Sequence, residues 1–211
     1  KTNWLSKAHA LPYARRCMEI GSIAVLGAGQ MGNGIAQVAA CAGYHVTMID
    51  IEQTFVDRGM ASIEESLAKL VSKEKMSQAN ADAALARVRA STDRSDASDC
   101  DLVVEAIPEI PELKFSTFSE LDNICKPETI LASNTSSISI DEIAASTNRP
   151  DRVIGMHFMN PVPIMKLVEI INGTETSDEV NSAVVAAAES MGKTALSCND
   201  SPGFVSNRIL C

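Results

Sequence analysis

Residues 22–26 read SIAVL, a short unbroken apolar run that opens onto glycine-rich sequence. Small and apolar residues then fill Met31 to Ala42 and stop at Gly43, the pattern of strand, tight turn, helix and glycine cap. HVTMID (45–50) follows as a second β-branched run that ends in an acid. Residues 54–73 and 78–88 are rich in Ala, Leu, Glu and Lys, with Ile63, Leu67, Leu70 and Val71 at helical spacing, which predicts two antiparallel helices. Strand-like runs then resume as RVRAST (87–92), DLVVEAI (101–107), TILASNT (129–135), RVIGMHF (152–158), KLVEII (166–171) and TALSC (194–198). Helical stretches fall between several of them, at about 111–124, 139–146 and 177–191. Ser139 with Glu142 three positions on has the capping-box form.

Strands and helices alternating in this order predict an α/β fold: a Rossmann-like, doubly wound, mostly parallel sheet covered on both faces, with a helical hairpin (54–88) inserted after the second strand. Ligands in such sheets bind beyond the carboxyl ends of the strands, so the polar residues that follow each apolar run are the candidates for chemistry. The reading divides the chain into an N-terminal extension (1–19), a nucleotide-binding domain (20–201) and a short further segment (202–211).

The extension, KTNWLSKAHALPYARRCM and Glu19, carries no acid before Glu19, a composition shared by organellar transit sequences, tags and disordered leaders. The remaining composition changes the picture only by exclusion. A net charge of −9 over 211 residues argues against nucleic acid as a general partner, and no apolar run approaches the roughly 18 residues of a membrane-spanning helix. Six scattered cysteines without a CxxC pair predict free thiols, with no metal site, in an intracellular protein. The mitochondrial matrix is the expected compartment, with the bacterial cytoplasm as the alternative.

Gly27, Gly29 and Gly32 form GAGQMG between a predicted strand and a predicted helix. That arrangement supplies a tight turn, close backbone approach to a pyrophosphate and close helix packing, with the helix N-terminus facing the anion. Asp50 ends the second strand, where a carboxylate accepts hydrogen bonds from both ribose hydroxyls and repels a 2′-phosphate, so the expected cofactor is NAD rather than NADP.

His157 is the one of three histidines that falls at the ligand end of a strand, and it is the candidate general base. Glu169, alone in an apolar run of the next strand, is the candidate for fixing its tautomer. Spacing leaves open the alternative of a satisfied core histidine and a surface glutamate. Asn134, Thr135, Ser136 and Ser137 end another strand on the same side, and Asn207 follows an SPGF turn; each could hold a substrate oxygen or serve as a cap.

Over residues 20–210 the blocks GAGQMGNGIAQVAA, DLVVEAI, ASNTSSISI, VIGMHFMNPVPIMKLVEI and DSPGFVSNR, in that order, resemble the L-3-hydroxyacyl-CoA dehydrogenase (3-hydroxybutyryl-CoA dehydrogenase) family. The resemblance implies NAD-dependent oxidation of an L-3-hydroxyacyl-CoA to the 3-ketoacyl-CoA, in fatty-acid β-oxidation or short-chain acyl-CoA metabolism. His157 would be the base, Glu169 its orienting acid, and Ser136 and Asn207 the substrate-contacting pair. Gly27, Ala28, Gly29, Gln30, Met31, Gly32 and Asp50 would hold the adenosine and pyrophosphate, and Glu109, Lys114 and Asn160 the nicotinamide half. Ser66 and Lys73 match positions that contact CoA, beside Lys69 and Lys75 in a local basic patch. The family continues past the NR motif into a helical domain that forms a homodimer interface, whereas this sequence stops at NRILC. The expectation is a truncated form, for which a dehydrogenase of small β-hydroxyacids, or an NAD-binding fragment without turnover, are the alternatives.

Overall fold

The computed structural model describes residues 18–210. The transit-like reading of the N-terminal extension falls on residues that are, up to Cys17, outside this range. β1 (Ser22–Leu26), α1 (Gln30–Ala42) and β2 (His45–Ile49) are followed by the hairpin α2 (Gln53–Ser72) and α3 (Gln78–Leu85). The chain continues through β3 (Val88–Ser91), β4 (Leu102–Glu105), α4 (Pro111–Ile124), β5 (Ile130–Ser133) and α5 (Ile140–Ala144). It then forms β6 (Val153–Phe158), β7 (Leu167–Asn172), α6 (Asp178–Ser190), β8 (Thr194–Asn199) and α7 (Ser206–Leu210).

The strands make one eight-stranded sheet in the order β3-β2-β1-β4-β5-β6-β7-β8. Strand order reverses between β1 and β4, and at such a switch point two diverging connections leave a crevice above the carboxyl ends. All pairs are parallel except β6 with β7. Only eight residues (159–166) separate those two strands, too few for the crossover that a parallel pair needs.

Both sheet faces are buried. Ile23 and Val25 face a core shared with α1, α2, α3 and α6, while Ala24 and Leu26 face one shared with α4 and α5. This is why the inner strands read as unbroken apolar runs rather than alternating ones.

Three local details differ from the sequence reading. α3 ends at Leu85 rather than residue 88, because Val88 pairs with Val46 in the sheet. A 3₁₀ turn, Arg94–Ala97, is set by Asp93, whose carboxylate accepts from the Ser95 amide. α5 spans only Ile140–Ala144, and the Ser146 and Thr147 hydroxyls donate back to the carbonyls of Ile143 and Ala144 to finish it. At its start Ser139 accepts from the Glu142 amide but donates to Asp200, so only half of the expected capping box forms.

Asp101 ties the opposite, amino-terminal end of the sheet. Its Oδ2 accepts from the Gly21 amide (2.9 Å), the Ser22 amide (3.0 Å) and the Ser22 hydroxyl (2.9 Å), and its Oδ1 from Lys126 Nζ (2.7 Å). Partial burial alone would raise its pKa; the Lys126 ammonium and the donors of residues 21 and 22 outweigh that and hold it down at about 2. A depressed carboxylate stabilises the fold above its unfolded pKa, and that contribution is lost as pH falls through the folded value. Asp101→Asn is therefore expected to cost about 1–2 kcal/mol at neutral pH. The gap from the parent should narrow as pH drops from about 4 toward about 2, which urea unfolding at several pH values measures.

Candidate active site

The crevice begins at the glycine turn. Gly27 has φ +97°, and its amide donates to the Ile49 carbonyl (2.7 Å). A Cβ there would lie 2.5 Å from the Ala106 carbonyl oxygen, so the turn that follows β1 is wedged between the ends of β2 and β4. At Gly32 a Cβ would sit 1.7 Å from the Gly27 carbonyl oxygen, which lets α1 pack down onto the strand end. Gly29 differs: nothing lies within 4 Å of its missing Cβ, and as N-cap of α1 it offers no side chain to the helix. The first amides of α1 thus keep their capacity for an anion.

Asp50 faces the same turn, accepting from the Ala28 amide at Oδ2 (2.7 Å) and the Ile51 amide at Oδ1 (2.7 Å). Each oxygen retains a lone pair for a sugar hydroxyl. A cavity of about 600 Å³ runs over Gly27, Ala28, Gly29, Gln30, Met31 and Asp50, with Ile51, Phe55 and Arg58 as further walls. A pyrophosphate-linked dinucleotide fits this arrangement of bare helix start, strand-end carboxylate and apolar wall. The three wall residues were missed in the sequence, where their signal was exposed apolar and basic side chains just after the strand-terminal acid.

Beyond the turn lies a buried polar network. Lys114 is 1% exposed and Glu105 is fully buried, and they pair at 2.6 Å. Glu105 also accepts from the Ile107 amide (2.7 Å) and the Ser133 hydroxyl (2.7 Å). Lys114 reaches Glu109 at 3.2 Å, and Glu109 in turn accepts from the Thr135 hydroxyl and from the amide (2.8 Å) and hydroxyl (3.3 Å) of Ser136. Burial would raise the Glu109 pKa, but the Thr135 hydroxyl, the Ser136 amide and Lys114 outweigh it and hold the carboxyl below its ordinary value. Lys114 is thus buried between the two carboxylates beneath the crevice, and Glu105 is the residue that sequence reading left without a role.

His157 and Glu169 are direct cross-strand partners on β6 and β7, with Nδ1 and Oε2 2.8 Å apart. Glu169 is fully buried, which excludes the surface-residue alternative. It also accepts from the amides of Val205 (3.1 Å) and Ser206 (2.7 Å) and from the Ser206 hydroxyl (2.7 Å). Burial works against the charge, yet Ser206 and His157 keep the Glu169 pKa below the ordinary carboxylate range. An ionised carboxylate only accepts, so Nδ1 carries the hydrogen and Nε2 is the basic nitrogen of the neutral ring. Phe204 backs the imidazole, with ring centroids 6.0 Å apart. Ser206, like Glu105, went unremarked in the sequence.

Asn207 donates from Nδ2 to the Ser136 carbonyl (2.9 Å), which joins the two networks. Asn134 is committed elsewhere, its Oδ1 accepting from the Phe158 amide (2.8 Å). Asn160 is exposed and accepts from Gln30 Nε2 (3.2 Å). Ser66 and Lys73 stand apart on α2 and at its end, with no side-chain hydrogen bond to the residues above. Lys69 beside them pairs with Glu65 (2.6 Å).

Residues 22–201 match the family model described as 3-hydroxyacyl-CoA dehydrogenase, NAD binding domain. A probable 3-hydroxybutyryl-CoA dehydrogenase of Deinococcus radiodurans is 57% identical over 88% of this chain and 66% of its own length. Its counterpart in Bacillus subtilis is 53% identical over 92% of this chain and 67% of its own. The crystal structure of (S)-3-hydroxybutyryl-CoA dehydrogenase from Ralstonia eutropha superimposes with a TM-score of 0.90 at 48% identity, covering 92% of this chain and 68% of that one. The chain spans about two thirds of the length of these proteins. With the glycine turn, Asp50 and the His157–Glu169 pair standing in one such fold, the chain belongs to the 3-hydroxyacyl-CoA dehydrogenase family and comprises its NAD-binding domain.

Proposed function

We propose that this chain carries the cofactor site and the catalytic base of an NAD-dependent 3-hydroxyacyl-CoA dehydrogenase, which converts an L-3-hydroxyacyl-CoA to the 3-ketoacyl-CoA. The observation that carries the reading is the bond from His157 Nδ1 to a buried, ionised Glu169. It leaves Nε2 to accept the proton of the 3-hydroxyl, and the carboxylate stabilises the imidazolium that results. In the reverse direction the imidazolium returns that proton to the carbonyl oxygen. The Ser136 hydroxyl and the Asn207 amide hold the oxygen in place. NAD, when bound, supplies the hydride acceptor. Gly29 and the first turn of α1 take its pyrophosphate, Asp50 its ribose hydroxyls, and Glu109 and Asn160 bound the nicotinamide end.

The relatives' names favour a short acyl chain, 3-hydroxybutyryl-CoA being the printed substrate. Ser66 and Lys73 are proposed CoA contacts; Lys69 is less suited, its charge being offset by Glu65. The bacterial sources of these relatives favour a bacterial cytoplasm over the mitochondrial matrix. Among the described residues no helix is long and apolar enough to cross a membrane. A β-hydroxyacid dehydrogenase would need a lysine base, and the lysine buried in this site, Lys114, is already shared between two carboxylates.

The test is oxidation of NADH by the chain with acetoacetyl-CoA, followed by absorbance. Turnover supports the assignment; NADH binding without turnover leaves a nucleotide-binding part that needs the rest of the enzyme. In an active form, His157→Gln should lower kcat by about 10²–10⁴-fold with the NADH dissociation constant within about twofold of the parent. Equal losses in both would remove His157 from the base's role. Asp50→Asn should weaken NADH binding by about tenfold and shift the NADH to NADPH affinity ratio toward NADPH, as measured by fluorescence titration.

A further inference from the structure

Lys193 lies in the turn between α6 and β8, after Gly192, and is 8% exposed. No carboxylate among the described residues pairs with it. Its ammonium instead donates to two backbone carbonyls, those of Val162 and of Met165 (2.9 Å), both in the loop 159–166 that joins β6 to β7. Burial and the neighbouring Lys166 hold its pKa below the ordinary lysine value. A buried cation is costly unless its donors are used, and here they are used on one loop.

That loop needs an external tie. Pro161 and Pro163 have no amide hydrogen to donate, and the Ile164 and Met165 amides both turn back to the Pro161 carbonyl (3.0 Å each). The Val162 and Met165 carbonyls would otherwise point toward Lys193 without a donor. Ile164 is 72% exposed, so apolar contact does little to hold the outer half of the loop. The inner half is pressed into the cofactor side of the fold. Val162 is buried, and a Cβ on Gly34 of α1 would come within 2.8 Å of it. The same loop begins two residues after His157 and carries Asn160, whose side chain meets Gln30 of the glycine turn.

We infer that Lys193 is a positioning residue: its ammonium holds the 159–166 loop against α1 and so aims Asn160 at the cofactor. The inference rests on the proposed assignment of Asn160 to the nicotinamide half. Without the tie, Asn160 has to be ordered at the moment of binding, and the affinity for NADH falls.

Lys193→Met removes the donors and keeps most of the apolar stem. Its expected effects are faster amide hydrogen exchange in residues 159–166 and an NADH dissociation constant raised by about fivefold to tenfold, the cost of ordering a loop side chain. Lys193→Arg should recover part of the affinity, since a guanidinium retains donors and charge. Lys193→Gln provides a milder change should the methionine variant fail to fold. Asp101→Asn serves as the destabilised control at the far end of the sheet and should leave NADH affinity unchanged. NADH affinity within twofold of the parent in both Lys193→Met and Lys193→Gln overturns the inference, whatever the loss of thermal stability. Asn160→Ala measured alongside separates the two assignments. A loss there without one at Lys193 refutes only the positioning role. A loss at Lys193 without one at Asn160 overturns the inference, because the affinity then does not act through Asn160.

Discussion

One buried ammonium determines the shape of the crevice floor. Lys114 sits between Glu105 at the end of β4 and Glu109 in the loop that follows, and an unpartnered charge at either place would cost several kcal/mol. Closing the arrangement takes the Ile107 amide and the Ser133 hydroxyl on one side and residues 135–137 on the other. The ends of β4 and β5 and the start of α4 are thereby locked into one frame. Ser136 has its amide fixed by Glu109 and its carbonyl held by Asn207, so its hydroxyl is presented from a backbone with little freedom. Preorganisation of this kind makes a short polar side chain useful for binding an oxygen, where a mobile serine would first have to be ordered.

The His157–Glu169 pair depends on strand register in the same way. His157 meets Glu169 because β6 and β7 pair with His157 opposite Glu169, and the eight-residue loop between them sets that pairing. A slip of one residue would turn Glu169 to the other face of the sheet and bring Val168 or Ile170 to its place. The contacts that hold the loop, including the Lys193 ammonium and the packing of Val162 on Gly34, therefore bear on the pairing of His157 with Glu169 as well as on the placement of Asn160.

The elements that depend on local pattern were legible in the sequence. Apolar runs marked the strands of a doubly buried sheet, and glycines at 27, 29 and 32 marked a turn whose backbone demands are now visible as close approaches to Ala106 and to Gly27 itself. Glu169 stood out because a lone acid in an apolar strand requires a partner. By that same rule Glu105, within DLVVEAI, should have been suspected, but its partner Lys114 lies on α4 in a segment that reads as an ordinary amphipathic helix. Ser206 was less accessible still, since a serine after a turn has many local uses and its bond to Glu169 spans 37 positions. The end of α3 was placed too late because its helical pattern runs on into RVRAST, the strand-like run in which Val88 pairs with Val46.

The SPGF turn shows how far the site extends past the domain that the glycine motif defines. Gly203 and Phe204 both have positive φ, +75° and +49°, and for a bulky residue that conformation costs about 1 kcal/mol or more. The compensation is local. Phe204 is buried against the His157 ring, and the next two amides donate to Glu169. The strained turn is therefore held by the Glu169 carboxylate, and the direction in which the chain enters α7 is set by the same bonds that favour its ionised form. A change that protonates or removes Glu169 would loosen the His157 ring, the Asn207 contact and the entry to α7 together, so the turn is built into the His157–Glu169 network rather than being a linker that follows it.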